Sequence, residues 1–96
     1  MKYSKHAKRR AQQRGIPDQI VELMLAYGDR EPAGNGSSLC CIRSRLTRNE
    51  LMREAALSGF AAVERHLSTY LVVAQDNTIV TVGHRFNRVM NNYSRW

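Results

Sequence analysis

Two alternating segments joined by a tight turn constrain the fold of this chain more than any other feature. Thr69–Gln75 reads TYLVVAQ and Thr78–Arg85 reads TIVTVGHR, with an Asp-Asn pair between them. Segments rich in Val, Ile, Thr and Tyr favour strands, and a two-residue Asp-Asn link is typical of a hairpin. The sequence therefore predicts an antiparallel hairpin with Val80 and Val82 on its core face, which places His84 on the same side at the strand's end.

The N-terminal part of the chain carries two helical patterns. Ser4 suits an N-cap, and the sequence predicts a first helix over Lys5–Arg14 that Gly15 ends. A second helix opens at Ile16-Pro17-Asp18, because Pro is favoured near the first helical position, and ends at Tyr27-Gly28. Its apolar residues recur at helical spacing, so we expect them in the core.

The middle of the chain has weaker signals. Gly, Pro and Asn are frequent in Asp29–Ser37, which predicts a loop. Ser38–Leu46 has the pattern of a strand, in which Arg43 and Arg45 share one face. A third helix is predicted from Asn49 to about Arg65, and its interior Gly either weakens it or divides it into two shorter helices.

The predicted order is helix, helix, strand, helix, strand, strand. This is an α+β fold, a small, mainly antiparallel sheet packed by two N-terminal helices and one inserted helix. A length of 96 residues suits one core, so we expect a single domain over residues 1–96. No apolar run approaches the ~20 residues that span a bilayer, and no apolar signal-peptide core follows the basic N-terminus. We therefore expect no membrane partner and a cytoplasmic location.

Positive charge is segregated along the chain. The formal net charge is +7, and the cations are concentrated in three acid-free stretches: the first 17 residues, Pro32–Asn49 and Asn77–Trp96. Segregated basic segments indicate a polyanion partner, such as RNA or DNA. The residues assigned to nucleic-acid binding are Lys5, Arg9, Arg14, Arg43, Arg45, Arg88 and Tyr93, the last as a base-stacking ring.

Two His-Arg clusters suggest a reaction on such a polymer. His6 and Arg10 lie four residues apart on one face of the first helix, while His84 and Arg85 end the last strand. If the first helix packs across the sheet, the clusters meet in one basic site. Histidine transfers protons near neutral pH and arginine stabilises phosphate charge, so these four residues are the predicted catalytic set for RNA cleavage through the 2′-hydroxyl.

No metal or other cofactor is expected. Cys40 and Cys41 are adjacent, which suits neither a disulfide between them nor the spacing of zinc ligands. The sequence offers no carboxylate cluster for a cation, so DNA nicking, which lacks the 2′-hydroxyl nucleophile and would require a metal, ranks below RNA cleavage.

Structural roles remain open for several of these residues. His6 also suits a surface position, and His84 suits a structural hydrogen bond at a strand end. Arg43 and Arg45 also suit a solvated strand face, and His66, at a helix end, is expected to be structural. The aromatic residues of the tail either stack on a base or pin the tail to the core.

The two ends of the chain carry a resemblance. The opening YSKHAKRRAQQRGIP and the closing TIVTVGHRFNRV resemble a bacterial family of small proteins of unassigned function. Members of that family begin with a His-Ala-x-x-Arg/Lys-x-x-x-Arg-Gly-Ile pattern. The family is similar to BrnT and, through it, to the RelE/ParE toxin superfamily. The resemblance covers roughly residues 3–28 and 70–89, whereas residues 29–68 match no motif of the family.

The resemblance implies a RelE/ParE-like fold with a basic concave face and the function of a type II toxin. Relatives are messenger-RNA ribonucleases, often acting at the ribosome, or inhibitors of DNA gyrase, and each is held inactive by an antitoxin. The motifs carry His6, Arg10 and Arg14 at the front of the chain and His84 and Arg85 at the back. The inserted third helix departs from the smallest members. A non-catalytic module that binds nucleic acid or gyrase is the alternative function.

Overall fold

The computed structural model describes residues 1–59 and 61–85. In these ranges the chain forms α1 (Lys5–Gln13), α2 (Asp18–Tyr27), β1 (Asp29–Gly34), β2 (Ser37–Cys41), α3 (Arg45–Leu57), a 3-10 helix (Ala61–His66), β3 (Thr69–Val73) and β4 (Ile79–His84). The strands form one antiparallel sheet in the order β1-β2-β3-β4. The predicted α+β class with a mainly antiparallel sheet is confirmed.

The chain enters the fold beside the start of β4. The Ser4 backbone N–H donates to the Ile79 carbonyl over 2.9 Å, and the Ser4 hydroxyl accepts the Ala7 N–H over 3.0 Å, which caps α1 as predicted. α1 then packs along β4, with Ala7 and Ala11 buried. These small side chains let the helix approach the sheet closely, while Lys5, Lys8 and Arg9 remain exposed to solvent.

The β3–β4 hairpin forms as predicted, but the alternation of inward and outward side chains is interrupted at the start of β4. Val72 pairs with Thr81 and Val73 pairs with Ile79, so Val80 has no partner on β3. Val80 is therefore half-exposed, while Ile79 and Val82 enter the core. Because a bulge reverses the side on which the following residues lie, the prediction that Val80 is a core residue is wrong.

Most of the segment predicted as a loop is a strand. β1 pairs with β2 across a turn at Asn35 and Gly36, whose φ values are +53° and +77°. Two successive residues with positive φ are what a tight hairpin turn requires. β1 is an edge strand whose register shifts between Pro32 and Gly34. The strand is stabilised by its pairing with β2 rather than by its own composition.

α3 begins earlier than the sequence predicts. The Ser44 hydroxyl accepts the Thr47 N–H over 3.1 Å, so Ser44 is the N-cap in place of Asn49. Arg45 is consequently the first residue of a helix, and the prediction that it shares a strand face with Arg43 is wrong.

The end of α3 agrees with one of the two alternatives that the sequence left open. The helix stops at Leu57, and Gly59 follows with a φ of +79°. This left-handed conformation is one that glycine adopts without strain, so the chain turns there and continues as the 3-10 helix. The region is therefore two short helices rather than one.

The two faces of the sheet differ. Cys40, Leu71 and Val82 are buried on the face that α1 and α2 cover. The opposite face, here called the open face, carries Cys41, Tyr70 and Gly83, which lie side by side on β2, β3 and β4. No helix within the described ranges is long and apolar enough to cross a membrane.

Candidate nucleic-acid interface

One end of the sheet brings together basic side chains from four parts of the chain. β2 ends there and continues into α3, the 3-10 helix leads there into β3, and β4 ends there. We call this region the basic end. Its members are Arg43, Arg45, Arg48, His66, His84 and Arg85.

Asp29 fixes the connection between β2 and α3. Its Oδ2 accepts the backbone N–H groups of Arg43 and Ser44 over 2.8 and 3.0 Å, and its Oδ1 accepts the Thr47 hydroxyl over 2.7 Å. Partial burial acts to raise the pKa of Asp29, but these hydrogen bonds, led by that of Ser44, outweigh it and lower the pKa. The ionised carboxylate therefore acts as a clamp on the first turn of α3.

A shallow cavity of about 310 Å³ opens beside this clamp. It is lined by Ile42, Arg43, Ser44, Arg45, Arg48 and Leu67. The three arginine side chains are exposed, and Arg43 is held by an ion pair with Glu31 at 2.7 Å. Arg45 and Arg48 make no hydrogen bond or ion pair with a side chain in the described ranges, so their guanidinium groups are available to a ligand.

Arg85 extends the basic end onto the open face. Its backbone N–H donates to the Ser68 carbonyl over 2.6 Å, and its Nη1 donates to the Cys41 Sγ over 2.7 Å. Cys41 therefore anchors the Arg85 guanidinium group on the open face.

The structure places His84 beside another histidine, although not the one that the sequence analysis paired with it. The rings of His84 and His66 stack with centroids 6.4 Å apart and planes 17° apart. His84 is half-exposed, whereas only 9% of the His66 surface is exposed. His66 was expected to be structural, and no spacing rule joins it to His84, because only the β3–β4 pairing brings the two together.

His6 lies at the other end of β4. α1 starts beside Ile79, and the five residue-to-residue steps from Ile79 to His84, at ~3.3 Å each, place these two residues roughly 16 Å apart. Within residues 1–59 and 61–85, no hydrogen bond or ring contact joins His6 to His84. His6 therefore does not meet the His84 cluster as the sequence predicted.

The other predicted residues of α1, together with Arg14 at its C-cap, form a solvent-facing basic surface. Lys5, Arg9 and Arg14 are exposed, as is His6. Arg10 is half-buried, and its Nε is shielded from solvent without a hydrogen-bond partner in the described part of the chain.

Two predicted binding residues, Arg88 and Tyr93, lie outside the described residues. Within the described ranges, no group of three or more His, Cys, Asp or Glu side chains is arranged to hold a metal ion. No family model, curated protein or solved structure matches this chain.

Proposed function

We propose that this protein binds RNA at the basic end and cleaves it without a metal ion, as the toxin of a type II toxin–antitoxin pair with a RelE/ParE-like fold. The observation that carries the proposal is the convergence of Arg43, Arg45, Arg48, His84 and Arg85 at one end of the sheet. These residues come from separate basic segments of the sequence.

The arginines suit a phosphodiester backbone. A guanidinium group donates two parallel hydrogen bonds to phosphate oxygens and stays charged at any physiological pH. Arg45 and Arg48 bind one phosphate near the cavity, and Arg85 binds the next from the open face. The exposed cations Lys5 and Arg9 of α1, and Arg14 at its C-cap, lengthen this surface along β4 for flanking phosphates.

His84 is the group suited to proton transfer. It takes the proton of the 2′-hydroxyl, the 2′-oxygen bonds to the adjacent phosphorus, and the bond from phosphorus to the 5′-oxygen breaks. The products are a 2′,3′-cyclic phosphate and a 5′-hydroxyl, whose oxygen takes a proton from solvent. Arg85 stabilises the negative charge that builds on the phosphoryl oxygens. In this mechanism His6 and Arg10, predicted as catalytic, act as phosphate-binding groups of α1.

An antitoxin that covers the basic end would inhibit the protein directly. An acidic segment placed on Arg45 and Arg48 would compete with RNA for the same charges. This partner follows from the sequence resemblance and from the charge of the surface together.

A paired charge deletion tests RNA binding. Arg45→Ala/Arg48→Ala removes two cations of the basic end, and Lys2→Ala/Arg53→Ala removes two cations elsewhere. The first variant should weaken binding to single-stranded RNA and lower the slope of log affinity against log salt by about 0.7 for each lost phosphate contact. The second should keep the wild-type slope. Equal losses in the two variants would show that only net charge matters.

A modified substrate tests cleavage. In the presence of a chelator, we expect the wild type to produce RNA fragments with 2′,3′-cyclic phosphate ends. An RNA with 2′-deoxyribose at the cleaved position should not be cut. His84→Ala and Arg85→Ala should abolish cleavage, and growth arrest on induced expression, while RNA binding by His84→Ala persists. Cleavage by His84→Ala would contradict the mechanism.

A non-catalytic RNA-binding toxin is the second candidate. It is favoured by one observation: in the described part of the basic end, His84 is the only imidazole with substantial exposure. Salt-dependent RNA binding with growth arrest but without strand cleavage would select this candidate.

A further inference from the structure

The His84 ring is held on two sides. Its Nδ1 lies 3.4 Å from the Ser68 hydroxyl oxygen, a distance within hydrogen-bond range. One face of the ring packs against His66, nearly parallel to it. Within the described residues, the Nε2 atom has no hydrogen-bond partner. Of the two ring nitrogens, Nε2 is therefore the one available to a ligand.

His66 is itself fixed by burial. It is the last residue of the 3-10 helix, and its side chain lies under the end of the sheet, where Thr69 of β3 pairs with His84 of β4. The Nδ1 of His66 is shielded from solvent and has no hydrogen-bond partner in the described ranges. A buried unpaired nitrogen costs free energy, so a phenyl ring would fill this place better if packing were its whole role.

The two imidazole rings are close enough that protonation of both would be opposed by charge repulsion. Burial, then the nearby His84, then Arg65 lower the pKa of His66. The charged and titratable groups that act on His66 are thus Arg65 of its own helix and His84 of β4. A positive charge on His84 therefore disfavours protonation of His66.

We propose that His66 and Ser68 are positioning residues for His84: together they fix its ring so that Nε2 alone exchanges a proton with a bound phosphodiester. For Nε2 of His84 to accept a proton, Nδ1 must carry the ring proton and donate it to the Ser68 hydroxyl oxygen, while His66 restricts rotation of the ring. The catalytic meaning of this arrangement rests on the proposed RNA cleavage, but the arrangement itself is measurable without RNA.

Nitrogen-15 NMR of the histidine side chains in the unliganded protein tests the arrangement. In the wild type we expect His84 to occupy predominantly the tautomer that carries its proton on Nδ1. His66→Phe keeps a flat ring beside His84 and should preserve the tautomer. His66→Ala and Ser68→Ala should each give a mixture of tautomers. An unchanged His84 spectrum in both alanine variants would overturn the proposal.

Kinetics separate positioning from general stability. His66→Ala should lower kcat for RNA cleavage by about 10- to 100-fold with KM little changed, because a misplaced base affects the chemical step more than binding. His66→Phe should restore most of kcat at pH 7. It should also remove the part of the acid-side loss of kcat that follows protonation of His66. Wild-type kcat and pH profile in His66→Ala would overturn the role.

Failure of the proposed RNA cleavage can be distinguished from failure of the positioning role. If the wild type does not cleave RNA, the proposed function fails, and the NMR experiment still decides whether Ser68 and His66 hold His84. If the wild type cleaves RNA and His66→Ala matches it, the function stands and the positioning role fails. Circular dichroism of each variant establishes that it is folded, and Ser68→Ala, at a half-buried position, provides the second variant should His66→Ala unfold.

Discussion

Arg85 and Cys41 are joined across the open face by a hydrogen bond of 2.7 Å from Nη1 to Sγ, although 44 residues separate them in sequence. The thiol is a buried anchor, since only 1% of the Cys41 surface is exposed. A guanidinium group that is already held loses less conformational entropy when it binds a phosphate. Much of the proposed site is thus organised before RNA arrives.

Cys41→Ala should weaken RNA binding. Loss of the sulfur acceptor frees the Arg85 side chain, and we expect roughly 1 kcal/mol of lost binding free energy, the conformational entropy of one long side chain that must then be ordered on binding. Fluorescence anisotropy with a labelled single-stranded RNA measures the change. Cys40→Ala is the matched control, because Cys40 is equally buried but faces the helices, where its Sγ lies 3.1 Å from the Met24 carbonyl. An equal loss of affinity in the control would contradict the anchor.

Asp29→Asn should destabilise the protein by about 1–3 kcal/mol at neutral pH, because it weakens three hydrogen bonds at the start of α3. The pKa of Asp29 is lowered in the folded state, so its contribution to stability is present above the unfolded pKa of ~3.9 and is lost as pH falls through the folded value. Urea unfolding between pH 7 and pH 2 measures this. Glu22→Gln, at an exposed position of α2, is the control.

Protonation of His66 should lower stability in a separate pH window. Because its folded pKa is lowered, the unfolded chain binds more protons, so the free energy of unfolding falls as pH drops below ~6.5 towards the folded pKa. His66→Phe should flatten the curve between pH 7 and pH 5. His6→Gln is the matched control for the loss of an imidazole. A wild-type curve that is already flat in this range would contradict the prediction.

Gly28→Ala should lower the free energy of unfolding by about 1–3 kcal/mol through overpacking. An added Cβ would lie 2.6 Å from the Met24 carbonyl oxygen and 2.7 Å from the Cys40 Sγ. Removal of the sulfur should relieve one of these clashes. The Gly28→Ala/Cys40→Ala double variant should therefore lose less stability than the two single losses added together, and additive losses would show that the sulfur clash is unimportant.

The elements predicted correctly are those whose signals are local. The Ser4 cap and the alternating β3–β4 segments determine their own structure within a few residues. β1 was missed because its composition, DREPAG, is that of a turn, and its strand forms only through pairing with β2. The Asn35-Gly36 pair was the available signal for that hairpin, since Asn-Gly favours tight turns.

The candidate site was predicted in part. Arg43, Arg45, His84 and Arg85 converge at the basic end, because the strands that carry them end together. Arg48 was not predicted as a site residue. It lies beside Arg45 at the basic end because α3 begins at Arg45 after the Ser44 cap, rather than at Asn49. The role of His66 depends on its contact with His84, which no helical or strand periodicity specifies.

The sheet has a protective feature at each of its two lateral edges. At β4, Tyr3 forms a parallel bridge with Ile79 and covers the beginning of the strand. At β1, Pro32 lacks an N–H group and the register shift interrupts the regular ladder. Unpaired edges are templates for intermolecular pairing, and such interruptions suppress aggregation. A variant that replaces Pro32 with a β-branched residue would lengthen an exposed edge, and growth of sheet-like aggregates from the folded protein would be its consequence.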